Sequence, residues 1–170
     1  KNVTDMYNMF CGCRALKSLD LSHFVTDNVT DMSGMFLGLR ATNLDISHFN
    51  TSNVTNMAYM FSMIYAPIDL DLSHFNTENV TEMEEMFYNT HMSSINVCHF
   101  NTSKVTNMRR MFAACFDIKE LDLSSFDTSN VTDMNEMFRE CNNLRSVDLS
   151  SFDTKNVTNM GDMFGLCSSL

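Results

Sequence analysis

The sequence holds no Trp, one Pro and only five Gly in 170 residues. No Gly-rich phosphate loop is present, and neither is a His-Glu-x-x-His or Cys-x-x-Cys pattern. Basic residues are scarce: 11 Lys and Arg stand against 21 Asp and Glu, a formal charge of −10. That balance argues against nucleic acid as a partner, because phosphate contacts need clustered Lys and Arg. No apolar run approaches the ~18 residues of a membrane-spanning helix, so insertion of this segment into a bilayer is not expected. The opening Lys1-Asn2-Val3-Thr4 lacks the apolar stretch of a signal peptide. What is plentiful is apolar: 44% of residues are hydrophobic, with 16 Met and 14 Phe, too many for a disordered chain.

The methionines have a cause, which is an internal repeat. Val-Thr-x-Met recurs with Val at positions 3, 29, 54, 80, 105, 131 and 157, in steps of 25 or 26 residues. Each copy continues to a second Met and a Phe, as in Met32, Met35 and Phe36. A second block, Leu19-Asp20-Leu21-Ser22 in its first copy, recurs six times with a Phe three residues after its second apolar position. The 25-residue steps lose their residue between the Met-Phe block and the next apolar pair, where a loop absorbs it.

The alternation of Leu19, Asp20, Leu21 and Ser22 has period two and predicts a short strand with one buried face. Val29, Met32, Met35, Phe36 and Leu39 fall at steps of 3, 3, 1 and 3, which predicts a helix of two to three turns. Asp27-Asn28 and Thr51-Ser52-Asn53 precede such segments as capping turns. One such unit cannot bury its apolar face alone. The expected fold class is therefore α/β: a right-handed solenoid with one short parallel strand and one short helix per 25–26-residue repeat. Residues 1–170 are expected to form a single repeat domain of about six to seven repeats. Neither end carries an evident polar cap, which suggests a fragment of a longer protein, with end-to-end self-association as the alternative.

The unit Asn53-Val54-Thr55-Asn56-Met57-x-x-Met60-Phe61, with Leu121-Asp122-Leu123-Ser124-Ser125-Phe126-Asp127-Thr128, resembles the BspA-like leucine-rich-repeat proteins of bacterial surfaces and mycoplasma lipoproteins. The resemblance spans essentially the whole chain. It implies a leucine-rich-repeat-like solenoid, display at the cell surface or secretion within a longer parent, and adhesion or host interaction. It implies no enzymatic activity and no cofactor.

Two columns are candidates for partner contact. The first is the outward side of the expected strand: Asp20 and Ser22, Asp45 and Ser47, Asp71 and Ser73, Asn96, Asp122 and Ser124, and Asp148 and Ser150. Stacked carboxylates repel, and that cost is offset by hydrogen bonds, a cation or a partner. Weak calcium binding is one reading, and a solvated face held by neighbouring turns is the other. The second is a flanking ladder of His23, His48, His74 and His99, with Ser125 and Ser151 in the later copies. A straight ladder presents imidazoles in a line, whereas zinc needs ligands converging on a point, so no metal site is assigned.

Cys13, Cys115, Cys141 and Cys167 share a position held elsewhere by Leu39, Ile64 and Thr90, which reads as small buried thiols. A bridge between Cys115 and Cys141 needs their side chains to turn together. Cys98 reads as the most reactive thiol. Eight Asn-x-Ser/Thr sequons read as turn and cap residues forming ladders between repeats. His and Asp recur in copy after copy, whereas a catalytic group is normally unique, so no enzyme is expected. The expected function is a non-enzymatic repeat array binding a protein or glycan at the cell surface. A structural spacer or display array is the second reading, and a metal-dependent enzyme the third.

Overall fold

A computed structural model of the chain describes residues 2–66, 68 and 70–170. Among these, no residue lies in a helix and parallel pairing is limited to single bridges. The α/β leucine-rich-repeat solenoid expected above is therefore incorrect in both of its elements. The chain is built from tight turns. They are arranged in seven stacked layers, called rungs here and counted by the Val residues 3, 29, 54, 80, 105, 131 and 157. Parallel bridges join Asp5, Asp31, Asn56, Glu82, Asn107, Asp133 and Asn159 in succession, and one more joins Leu19 to Leu44.

The reason no helix forms lies in where the amides go. In rung 2, Met35 N–H donates to the Met32 carbonyl at 3.2 Å, Leu37 N–H to Gly34 and Leu39 N–H to Phe36, both at 3.0 Å. These close four-residue β-turns. The intervening amides leave the segment: Gly34 N–H donates to the Ala58 carbonyl, Phe36 to Met60 and Gly38 to Ser62 in the next rung. A helix would consume every one of these amides four residues back along the same segment. The backbone also turns left-handed twice per segment, at Gly34 and Gly38 with φ of 61° and 70°. In rung 4 the same positions are Glu85 and Asn89, with φ of 51° and 53°. Steps of 3, 3, 1 and 3 suit successive turns as well as a helix, which is why the apolar stripe faces inward in either case.

The expected strand is cut short for a different reason. The Asp20 carboxylate accepts the Ser22 N–H at 2.9 Å, and Phe24 N–H donates to the Leu21 carbonyl at 2.8 Å. The chain bends immediately after the second apolar residue. Asp two residues before a bonded N–H is turn chemistry.

Columns of like residues fill the interior. Phe36, Phe61, Phe87 and Phe112 are fully buried and stack nearly parallel, with centroids 5.7–5.9 Å apart. A second column, with Phe49 and Phe75, leans against the first at 6.4 and 6.2 Å. Buried threonines staple the rungs. Thr77 Oγ1 donates to the Asn101 carbonyl at 3.0 Å and accepts the Asn101 N–H at 2.8 Å. Thr26, Thr51, Thr102 and Thr128 make the same two bonds to the rung above. On the outside, from Thr30 onward, each Thr of the Val-Thr-x-Met unit donates its N–H to its counterpart below at 2.8–2.9 Å, as Thr55 does to Thr30.

This turn geometry makes a prediction opposite in sign to that of a helix. Ala114 is buried with φ of 55°. A left-handed non-Gly residue costs ~1–2 kcal/mol, more than the ~0.5–1 kcal/mol of extra unfolded-state freedom that Gly brings. Ala114→Gly is therefore expected to raise the denaturation midpoint slightly. In a helix it would lower stability by ~1 kcal/mol. Urea unfolding of the two chains decides the sign.

Candidate functional site

The carboxylate column lies on the outer side of the turns just described. Asp20, Asp45, Asp71, Asp122 and Asp148 are all exposed. Each holds one oxygen on the N–H of the Ser two residues on, at 2.8–3.0 Å. The hydroxyls of Ser47 and Ser124 add a second bond of 2.7 Å to Asp45 and Asp122. These bonds favour the ionised form, so the carboxyls are held below the usual range, chiefly by the Ser side chains. At Asp148 the Ser150 backbone contributes most. Asn96 occupies the same column and accepts the Cys98 N–H more loosely, at 3.4 Å. The column therefore combines a local job, capping a turn, with fixed negative charge facing solvent. The second carboxylate oxygen makes no part of that cap.

The His ladder ties rungs to those below at His48 and His99. His48 Nε2 donates to the Leu21 carbonyl at 2.9 Å, and His99 Nε2 to the Leu72 carbonyl at 2.8 Å. This places the hydrogen on Nε2 in both rings. Ser125 and Ser151 donate their hydroxyls to Val97 and Leu123, the corresponding carbonyls of later rungs. His and Ser exchange along the column because each supplies one donor to the rung below. His48, His74 and His99 also stand edge-on to the Phe that follows, at 5.0–5.2 Å. His74 Nε2 is buried with no hydrogen-bond partner among the described residues, while His23 is exposed. No group of three or more His, Cys, Asp or Glu is placed to hold a metal among the described residues.

The cysteines are all free, Cys115 and Cys141 included. Cys115 Sγ donates to the Phe87 carbonyl and Cys141 Sγ to the Phe112 carbonyl, both at 3.1 Å. Burial pushes the Cys115 thiol up to about 12 and raises that of Cys141 as well. Both are therefore protonated donors. Cys98 is exposed, as is Cys11.

A ladder of charges runs down the turn face. Arg109 pairs with Glu84 at 2.8 Å, and Arg110 spans Glu136 at 2.8 Å and Glu85 at 3.4 Å. Arg139 meets Glu140 at 3.3 Å and Asp162 beyond it. Beside this ladder, Tyr59, Ser62 and Glu85 border a groove above Gly12 and Gly38. Spacing does not reveal that groove, because it joins residues of four rungs.

A family described as Mycoplasma protein of unknown function, DUF285, matches residues 1–93 and again 86–170. The chain belongs to that family. Comparison with curated proteins and with solved structures gave no match. The match to DUF285 overturns the resemblance to BspA-like leucine-rich-repeat proteins, for which no finding speaks. The function drawn from it falls as well. With neither helix nor sheet among the described residues, this DUF285 chain has no α/β repeat architecture to act as a binding scaffold. No helix among the described residues is long and apolar enough to cross a membrane.

Proposed function

We propose that the chain recognises a protein partner outside the bilayer, and that this partner presents a basic segment to the carboxylate column. The reading includes no catalysis, since the same capped Asp recurs in rung after rung. It also includes a secreted or surface-displayed parent protein as the setting. One observation carries it: five exposed carboxylates stand in one column, each locked by its own Ser and held ionised below the usual range. Carboxylates fixed in this way lose little side-chain freedom on binding a cation. Complementary charge speeds association and selects partners by sign.

Titration with an oligolysine peptide, followed by fluorescence anisotropy, tests this reading. Asp45→Asn/Asp71→Asn/Asp122→Asn removes three charges and keeps the cap, as Asn96 does naturally. Asp27→Asn/Glu78→Gln/Glu82→Gln removes three charges elsewhere. Binding is expected to be saturable and to weaken as salt rises. It should be lost in the first variant, kept in the second, and both should melt like the parent chain. Equal binding by both variants would mean a response to net charge alone and would overturn the reading, as would no binding by the parent chain.

A further inference from the structure

The groove beside the charge ladder holds about 350 Å³ and is bordered by Leu37, Tyr59, Ser62, Met63 and Glu85, with Arg14 at its rim. Its space exists because two stacked rungs carry no side chain there. A methyl group built on Gly12 would meet nothing within 4 Å, and one on Gly38 would meet only the Gly12 backbone, at 3.8 Å. In later rungs the same position holds Met63 and Asn89, so the groove ends where the side chains begin.

Two polar groups in this groove are left wanting. Ser62 is 1% exposed, and its hydroxyl has no hydrogen-bond partner among the described residues. A buried unpaired hydroxyl is uncommon and calls for a bound group or water. Glu85 has a side chain only 13% exposed, yet its contacts are the long ones of the ladder, 3.4 Å to Arg110 and 4.0 Å to Arg109. Glu84 and Glu136 hold their arginines at 2.8 Å. Burial outweighs the two arginines at Glu85 and raises its carboxyl above the usual range. Tyr59 supplies an aromatic wall, and its phenol, pushed up to about 12 chiefly by burial, stays neutral.

We propose that this groove binds a small organic amine: a primary ammonium on an apolar body the size of an arylalkylamine. The ammonium completes the shell of Glu85 and lies against the Tyr59 ring, an arrangement that favours cations. The apolar body covers Gly12 and Gly38 between Leu37 and Met63. Arg14 is exposed at the rim and is solvated in either state. The volume lies within the ~300–1,000 Å³ of ordinary ligand sites.

The probes are phenethylamine and 2-phenylethanol, of like shape, added separately to the isotope-labelled full chain. Amide shift changes are followed by NMR. Phenethylamine is expected to saturate shifts at Gly12, Gly38, Ser62 and Met63. The neutral alcohol should bind roughly tenfold or more weakly, the size of a hydrogen bond to a charged group. Glu85→Gln should lose a similar factor while melting as the parent does. Equal affinity for the two probes would overturn the proposal and needs no variant. Absent shifts, shifts confined to other residues, or full affinity in a folded Glu85→Gln chain would overturn it too.

Discussion

Met83→Asp is expected to unfold the chain or to leave it melting far below the parent. Met83 has no exposed surface, its N–H donates to the Asn107 carbonyl and its carbonyl accepts the Met86 N–H. The side chain lies in the column of Met57 and Met108, both fully buried, and none of these neighbours can pair with a carboxylate. The aspartate must then either stay charged without a partner or take up a proton and remain poorly bonded. Either route costs on the order of 4–5 kcal/mol. A domain holds only about 5–15 kcal/mol in reserve. Met83→Leu keeps volume and apolarity and should cost less than ~1.5 kcal/mol. Thermal melts of both variants by circular dichroism check the pair. An unchanged melt for Met83→Asp would refute the buried Met column.

Thr77→Val should be the next most damaging change, although it alters almost no volume. The Thr77 hydroxyl gives a hydrogen to the Asn101 carbonyl and takes one from the Asn101 amide, in a site 2% exposed. Val fills the space and offers neither function. Two backbone groups would be stranded away from water at ~1–3 kcal/mol each. A loss of about 2–6 kcal/mol is expected from urea unfolding. Thr77→Ser keeps the hydroxyl and should recover most of it. If Val were tolerated as well as Ser, the staple would contribute packing alone.

The sequence makes some of this structure legible and conceals the rest for identifiable reasons. The repeat and its inward columns are readable because Val, Met and Phe return at fixed spacing, and burial depends on side-chain type. The turns are not readable as such. Left-handed backbone is signalled by Gly12, Gly34 and Gly38, yet the same conformation falls on Tyr59, Glu85 and Arg110, which do not advertise it. The stacking contacts impose it there. The Asp20-x-Ser22 spacing does announce a turn, but period-two alternation of Leu19 and Leu21 reads more loudly as a strand. The carboxylate column is visible at once, whereas its Ser locks emerge only with the bend. The His column illustrates a further limit. His and Ser look chemically unrelated in the sequence, and only the shared carbonyl of the rung below shows why one can stand for the other. The amine groove assembles Gly12, Gly38, Ser62 and Glu85 from separate rungs, a proximity no local pattern encodes.

The division of amides between a rung and its neighbour has a kinetic consequence. A lone rung leaves alternate N–H groups without acceptors, so it has little reason to hold its shape before a second rung arrives. Assembly then resembles crystal growth: a costly first pair, followed by layer-by-layer addition on a ready template. Hydrogen exchange should reflect that order, with amides facing Met86 and Met111 in the middle layers among the last to open.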